Sequence, residues 1–326
     1  MRPPARGTLD GVMDSLVDGV LAGDRRAIAR AISMVEDGAE DLARISAGLY
    51  PHTGNAYTMG LTGAPGVGKS SLAEQLVRAA RERGTRVAVL AIDPTSPFTG
   101  GALLGDRLRM QAHATDPGVF IRSMATRGHL GGMALAAPEA IRILDASGVG
   151  LVIVETVGVG QVEVEVATAT DTTLVVVSPG WGDAVQVAKA GILEIADVFV
   201  VNKADRDDAK KAVTDLEQMI AMGPEQDWTP PVVATSAVSG EGIDELWAVT
   251  DRHREALRGG GRLEELRRAR RLREVETLAG ELLRGRLEGV LANEPQVAAD
   301  LEARRIDPYQ AAARLLAEAT RGHQLA

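Results

Sequence analysis

A glycine-rich segment at residues 63–70 carries the residue types from which proteins build phosphate sites. It reads Gly-Ala-Pro-Gly-Val-Gly-Lys-Ser, which matches the P-loop pattern in full. Glycines let the backbone curl so that successive N–H groups point at phosphate oxygens. We expect Lys69 to reach the β and γ phosphates of a nucleoside triphosphate, and Ser70 to offer its hydroxyl to Mg²⁺.

The segment lies between a predicted strand and a predicted helix, as a P-loop requires. An apolar run at 57–62 precedes it, and residues 71–80 carry apolar side chains at helical spacing. The positive end of the helix adds to the attraction for phosphate. The predicted phosphate-binding residues are Gly63, Ala64, Pro65, Gly66, Val67, Gly68, Lys69, Ser70 and Ser71.

A second motif, at 202–205, predicts which base is bound. Asn-Lys-Ala-Asp follows an apolar run there, in the order expected for the guanine-recognition motif of P-loop GTPases. The Asp205 carboxylate can accept hydrogen bonds from N1–H and the exocyclic amine of guanine, whereas adenine offers no donor at either place. Residues 235–237 resemble the loop that directs a backbone amide at guanine O6. We therefore predict a preference for GTP over ATP. The predicted base-site residues are Asn202, Lys203, Asp205, Ser236, Ala237 and Val238.

A third motif, Glu-Thr-Val-Gly at 155–158, follows the apolar run 151–154. Small GTPases carry Asp-x-x-Gly at this position, so the glutamate is a departure from their pattern. Gly158 can bring a backbone N–H to the γ-phosphate. Glu155 can hold Mg²⁺ through water or orient the attacking water.

The apolar runs of the chain predict the elements that must position these residues. Between about 56 and 250, short apolar runs alternate with helical patterns; the runs are 57–62, 87–93, 119–122, 151–155, 173–177, 198–202 and 232–235. Strands that are apolar throughout suit a mostly parallel sheet covered on both faces. Asp93, Glu155 and Asn202 end their runs, which places them at the carboxyl edge where such folds bind ligands. We predict an α/β fold of the P-loop NTPase type, with a mostly parallel sheet flanked by helices and with helical extensions at both ends.

The chain is predicted to comprise three regions. Residues 1–55 form an N-terminal helical extension, in which Asp24 can cap a helix, and residues 56–258 form the P-loop domain. Residues 259–326 form a C-terminal helical extension. Its apolar stripe from Val275 to Leu291 is either intramolecular core or a dimer surface. Arginines at 267–273 lie among glutamates, which favours a solvated or dimer-bridging face over phosphate or RNA contacts.

Composition narrows the class of partners. The chain has 36 Lys and Arg against 45 Asp and Glu, a net charge of -9, which argues against a general nucleic-acid binder. The absence of cysteine excludes disulfides and thiolate metal sites. We find no run of about 18 apolar residues, the length needed to cross a membrane. The expectation is a cytoplasmic protein with neither a membrane nor a nucleic acid as partner.

Three segments together resemble one family. Residues 93–110, 155–161 and 202–205 are similar to those of the MeaB/ArgK-type GTPases, which are related to the human methylmalonic aciduria type A protein. The resemblance extends over nearly the whole chain. It implies a homodimer formed through the C-terminal helices. It also implies a chaperone of adenosylcobalamin-dependent methylmalonyl-CoA mutase, which gates cofactor loading and protects the mutase.

The resemblance also implies switches, segments that change conformation with the bound nucleotide. Residues 93–110 would form the first, and 155–161 the second. A third, at 178–189, would signal to the mutase, although the residues alone favour a plain connecting loop. Trp181 stands there where a small residue is expected. The implied metal-site residues are Ser70, Asp93, Asp106 and Glu155, and the implied signalling residues are Asp183, Gln186 and Lys189.

The predicted activity is Mg²⁺-dependent hydrolysis of GTP to GDP by in-line attack of water, with Lys69, Glu155 and Asp93 as catalytic residues. Two alternatives share the P-loop. A GTPase metallochaperone for another metalloenzyme would need thiolates or clustered imidazoles, and this chain has no cysteine and five scattered histidines. A kinase would transfer the γ-phosphate to an acceptor other than water.

Overall fold

The computed structural model describes residues 6–39, 41–93, 113, 115–125, 132–156, 166–180, 194–224 and 227–320. Its helices are α1 (Arg6–Leu21), α2 (Arg25–Glu36), α3 (Leu42–Leu49), α4 (Lys69–Glu82), α5 (Gly132–Ala146), α6 (Ala209–Ala221), α7 (Ile243–Gly259), α8 (Arg262–Asn293), α9 (Pro295–Glu302) and α10 (Pro308–Thr320). Its strands are β1 (Tyr57–Thr62), β2 (Val87–Asp93), β3 (Val119–Ala125), β4 (Leu151–Thr156), β5 (Thr172–Val177), β6 (Val198–Asn202) and β7 (Val232–Thr235). Within these ranges, no helix is long and apolar enough to cross a membrane.

The strands form a seven-stranded sheet in the order β3-β2-β4-β1-β5-β6-β7. Every neighbouring pair among these described strands is parallel, which confirms the predicted parallel α/β sheet. β1 lies at the centre, with Met59 opposite Ile153 of β4 and Gly60 opposite Thr173 of β5. Because the strands run in one direction, the segments that follow β1, β4, β6 and β7 meet at the same edge.

Helices cover both faces of the sheet, which explains why its strands are apolar throughout. Val154 of β4 packs in a core with Ile28 of α2 and residues of α5. The next residue toward the N-terminus, Ile153, points to the opposite face and packs in a core with Leu72 of α4 and residues of α7. Alternate side chains of one strand therefore lie in different cores. The N-terminal helices share the first of these cores with the sheet.

The start of α2 follows from its capping residue. The Asp24 carboxylate accepts hydrogen bonds from the backbone N–H groups of Arg26 and Ala27, at 3.0 and 2.8 Å. These N–H groups have no partner inside the helix, so the predicted cap is confirmed. Ile28 and Ile32, on one face of the helix, are buried.

The chain divides into two compact units, Met1–Arg270 and Arg271–Ala326. The second unit has a small core of its own, in which Val297, Ile306 and Ala311 are buried. Within the predicted apolar stripe, four side chains of α8 are exposed. These are Val275, Leu278, Leu282 and Leu291. These four side chains are therefore not part of the core of the second unit.

A buried ion cluster lies at the amino edge of the sheet, where α8 begins. Asp171, directly before β5, accepts hydrogen bonds from Arg267 Nη2 at 2.6 Å and from Arg270 Nη1 at 2.8 Å. Arg267 also donates to the carbonyl oxygens of Gly54 and Ala56, both at 2.8 Å. Burial raises the pKa of the Asp171 carboxyl, but the two guanidinium groups outweigh it and hold that pKa below its usual range. The expectation of a solvated or dimer-bridging face is therefore wrong for Arg267 and Arg270, because the chain folds their side chains inward.

A chain of polar side chains lies beside this cluster, next to a cavity of about 650 Å³. The Tyr57 hydroxyl contacts that of Thr172, whose Oγ1 lies 2.7 Å from His253 Nδ1. His253 Nε2 is 3.4 Å from Asp197 Oδ1. Burial lowers the pKa of His253 to about 4 and raises the pKa of Asp197 to about 6. Burial thus favours the neutral form of each group more strongly than water does.

The ion cluster predicts a large effect of replacing its carboxylate. We expect Asp171→Asn to lower the free energy of unfolding by about 3–5 kcal/mol, because two guanidinium groups lose their common counter-ion in a buried site. Urea denaturation measures the change. The control is Glu82→Gln, which breaks an exposed pair with Arg78 and should cost less than about 1 kcal/mol. If the two variants lose the same stability, the cluster does not anchor the start of α8.

His253 and Asp197 predict opposite changes in the pH dependence of stability when each is replaced. His253 titrates at about 4 in the fold against an ordinary 6.5, so it makes stability fall as the pH drops through this interval. Asp197 titrates at about 6 against an ordinary 3.8, so it makes stability fall as the pH rises through its interval. The two effects oppose each other in the wild type.

Asp197→Asn removes the aspartate effect, so relative to the wild type its free energy of unfolding should rise more steeply with pH between 3.8 and 6. His253→Gln removes the histidine effect, so relative to the wild type its free energy of unfolding should rise less steeply, or fall more steeply, with pH between 4 and 6.5. Denaturant titrations at a series of pH values and constant ionic strength compare the slope of each variant with that of the wild type. Changes of the same sign in the two variants would show that these groups do not titrate as described.

Candidate nucleotide site

The P-loop segment joins the end of β1 to the start of α4, as predicted. Gly63, Gly66 and Gly68 have φ angles of 134°, 80° and 98°, in the region that favours glycine. At Gly63 there is also no room for a side chain, because a Cβ would lie 2.1 Å from the carbonyl oxygen of Val176 in β5. The close approach of β5 thus fixes where the loop starts.

Lys69 and Ser70 open α4, and both side chains are buried. The Lys69 ammonium donates hydrogen bonds to the carbonyl oxygens of Gly63 and Ala64, so it lies folded over the loop. The Ser70 hydroxyl donates to Glu155 Oε1 at 2.6 Å. Glu155, near the end of β4, is only 1% exposed. The structure thus brings together three predicted site residues from two different elements.

The pair of Ser70 and Glu155 fits a magnesium site. Mg²⁺ prefers hard oxygen ligands such as carboxylates and hydroxyls, and these two oxygens lie in contact beside the P-loop. When bound, the ion would neutralise charge on the β and γ phosphates. Ser70 and Glu155 are the described residues that would hold it.

Asn202, the last residue of β6, joins the two halves of the predicted site. Its Nδ2 donates to the carbonyl oxygen of Val67 in the P-loop, at 2.9 Å. Its Oδ1 accepts from the backbone N–H of Ala237, at 3.1 Å. The next residue, Lys203, has a φ of 61° and donates from Nζ to the carbonyl oxygen of Gly66, at 2.6 Å. The guanine motif is thus bonded to the phosphate loop.

Asp205 is oriented by the loop that follows β7. Ser236 Oγ donates to Asp205 Oδ1 at 2.9 Å, so the adjoining loop holds one oxygen of this carboxylate. The backbone N–H of Ala204 donates to the carbonyl oxygen of Thr235, also at 2.9 Å. Val238, at the tip of this loop, is 91% exposed. The predicted base-site residues therefore lie on two adjoining loops at one edge of the sheet.

Gln75 on α4 is part of this arrangement, although no motif includes it. Its Nε2 donates to the carbonyl oxygen of Ala237 at 2.9 Å. In the sequence it is one polar residue on an amphipathic helix, and helical spacing gives no sign of its partner.

Some predicted residues lie outside the described part of the chain. These are Asp106, Gly158, Asp183, Gln186 and Lys189, together with Trp181. Asp93 ends β2 at the same edge as Glu155, but its side chain is not described either. The roles assigned to these residues stay predictions.

The chain is similar to known proteins over most of its length. Residues 28–291 match the family model of the methylmalonyl Co-A mutase-associated GTPase MeaB. A Pyrococcus abyssi protein whose name places it among the GTPases is 49% identical over 303 residues, which cover 90% of this chain and 93% of that protein. GTPase ArgK of Escherichia coli is 37% identical over 280 residues, covering 83% and 84% of the two chains.

A solved structure shares the fold. The crystal structure of an LAO/AO transport system kinase superposes with a TM-score of 0.70 at 27% sequence identity. The superposition covers 97% of this chain and 99% of that one. The predicted P-loop NTPase fold is therefore confirmed along nearly the whole chain.

The P-loop geometry predicts different costs for the same substitution at two glycines. Gly63→Ala and Gly66→Ala both place a side chain at positive φ, which costs about 1–2 kcal/mol. Only at Gly63 would the new Cβ meet backbone, whereas at Gly66 nothing lies within 4 Å. We expect Gly63→Ala to destabilise the nucleotide-free protein by a further 1–3 kcal/mol or so. Equal urea midpoints for the two variants would contradict the close approach of β5.

Proposed function

Because the chain belongs to the MeaB family of methylmalonyl-CoA mutase-associated GTPases, we propose that it is the chaperone and regulator of an adenosylcobalamin-dependent acyl-CoA mutase. Family membership confirms the prediction of a GTP hydrolase. The proposed client is of the methylmalonyl-CoA mutase type. The proposed role is to gate cofactor loading and to protect the mutase.

The observation that carries the guanine part of this proposal is the position of Asp205. Ser236 holds one of its oxygens at 2.9 Å, and Asn202 ties the same pair of loops to the P-loop. A carboxylate held in this way can accept from both N1–H and the exocyclic amine of guanine. Each charge-assisted bond of this kind contributes roughly 1.5–3 kcal/mol. Adenine would leave the carboxylate without either donor.

Hydrolysis is assigned to the residues around the P-loop. Lys69 would turn from the carbonyl oxygens of Gly63 and Ala64 to the phosphates when nucleotide binds. The backbone N–H groups of the loop and this ammonium then stabilise charge on the transferred group. Glu155 is placed to orient water or to hold Mg²⁺ with Ser70. Asp93 is proposed as a further catalytic residue and metal ligand, and Asp106 as a metal ligand.

The proposed partners are the mutase and a second copy of the chain. Signalling to the mutase is assigned to Asp183, Gln186 and Lys189. Homodimer formation is assigned to the C-terminal helices. The apolar side chains exposed on α8 support this second assignment, because apolar surface of this kind is typical of subunit contacts.

The alternatives differ in what the site would need. For a metallochaperone, the described residues contain no group of three or more His, Cys, Asp or Glu that could hold a metal ion. For a kinase, the similar crystal structure is that of an LAO/AO transport system kinase, so transfer of the γ-phosphate to an acceptor is measured alongside hydrolysis.

The experiment measures GTP hydrolysis with and without purified methylmalonyl-CoA mutase, using GTP labelled at the γ-phosphate. We expect the mutase to change the steady-state rate and the label to appear as inorganic phosphate. Lys69→Ala should abolish hydrolysis in both conditions, since the ammonium that stabilises the transferred group is gone. A rate that no cobalamin-dependent acyl-CoA mutase changes would contradict the proposed client. Label transferred to a protein or small-molecule acceptor would favour the kinase.

A further inference from the structure

The contact between Gln75 and Ala237 joins residues 162 positions apart in the sequence. Gln75 lies on α4, the helix that opens with Lys69 and Ser70. Ala237 lies in the loop between β7 and α7. One side-chain hydrogen bond thus connects the helix of the phosphate site directly to the loop predicted to face the base.

Both backbone polar groups of Ala237 are bound by side chains. Its N–H donates to Asn202 Oδ1 at 3.1 Å, and its carbonyl oxygen accepts from Gln75 Nε2 at 2.9 Å. Asn202 belongs to the guanine motif, but Gln75 belongs to none. The Ala237 side chain is buried in the core between the sheet, α4 and α7. The residue is therefore fixed at three points.

The rest of the loop is closed on itself. The N–H of Gly240 donates to the carbonyl oxygen of Ser236 at 2.8 Å. The N–H of Ser236 in turn donates to the carbonyl oxygen of Glu241 at 3.0 Å. Gln75 Oε1 lies 3.9 Å from the position that a Cβ would take at Gly240, so the Gln75 amide is near this part of the turn as well. The hydrogen bond at Ala237 thus connects a closed turn to α4.

The bond to Gln75 also sets the direction of the next N–H. In a trans peptide the C=O of one residue and the N–H of the next point in opposite directions. Because the Ala237 carbonyl points at α4, the Val238 N–H points away from α4. The N–H of Ala237 is already bonded to Asn202, so the orientation of the Ala237–Val238 peptide decides how the loop presents its next donor.

We infer that Gln75 is a positioning residue for base recognition, which fixes the Ala237–Val238 peptide so that the loop presents a donor to guanine O6. The inference rests on the guanine site proposed above. Gln75 itself touches no ligand and has no part in hydrolysis. Its loss should weaken recognition of O6 and leave recognition of the guanine amine by Asp205 in place.

The experiment compares two nucleotides whose bases differ at position 6 and at N1. Calorimetry in magnesium buffer measures the affinity of the full chain for GDP and for 2-aminopurine riboside 5′-diphosphate, which keeps the exocyclic amine but lacks O6 and, with it, the N1–H. The lost N1–H weakens the analogue equally in the wild type and in each variant, so the comparison between proteins isolates the effect at O6. Gln75→Leu removes the donor at similar size, and we expect it to weaken GDP binding about 3- to 10-fold. Its affinity for the analogue should stay at the wild-type value. Gln75→Glu should weaken GDP more than Gln75→Leu does, because its carboxylate would face the Ala237 carbonyl oxygen.

The control is Arg78→Ala on the same helix, an exposed residue paired only with Glu82 among the described contacts. It should bind both nucleotides as the wild type does. Binding of the analogue shows that each variant is folded. If Gln75→Leu loses both affinities to the same extent, or loses neither, the inference is overturned while the guanine site stands. If the wild type does not bind GDP, the proposed guanine site fails, and this inference fails with it.

Discussion

The Asn202 carboxamide is the link on which the candidate site depends. It is 1% exposed, and it donates to the carbonyl of Val67 while it accepts from the N–H of Ala237. A carboxamide can donate and accept at once without carrying charge, so it can join two backbone loops in a buried place. The position of Asn202 also explains why residue 68 is a glycine, because a Cβ there would lie 2.4 Å from Asn202 Nδ2. The P-loop and the guanine motif therefore constrain each other's residues.

The two edges of the sheet hold different kinds of polar group. At the carboxyl edge, backbone groups and a few side chains surround the place where nucleotide is proposed to bind. At the amino edge, Asp171 is enclosed by Arg267 and Arg270, whose hydrogen bonds connect the start of α8 to the chain around β1 and β5. β1 connects the two edges. At its carboxyl end Thr62 leads into the P-loop, and near its amino end the N–H of Thr58 donates to Asp171. The apolar interior of the sheet separates the two.

Local patterns in the sequence predict the sheet well, because a strand covered on both faces must be apolar along its whole length. The runs 87–93 and 198–202 coincide with β2 and β6. The P-loop is equally visible, because its residues are contiguous. The ion cluster at the amino edge is not visible in the sequence, because Asp171 lies 96 and 99 positions from the arginines that bind it. In the sequence Arg267 and Arg270 differ in no way from their exposed neighbours, and only the position of the start of α8 beside Asp171 decides which of them turn inward.

The measurement that tests the central claim most directly is calorimetric titration of the wild type and of Asn202→Ala with GDP and with ADP in magnesium buffer. If Asn202 joins the phosphate and base loops into one guanine nucleotide pocket, the wild type binds GDP at least about 100-fold more tightly than ADP, as two charge-assisted hydrogen bonds require. Asn202→Ala, which removes the carboxamide that bonds the base loop to the P-loop, loses most of that preference. A wild type that binds GDP and ADP equally, or neither, would contradict the account.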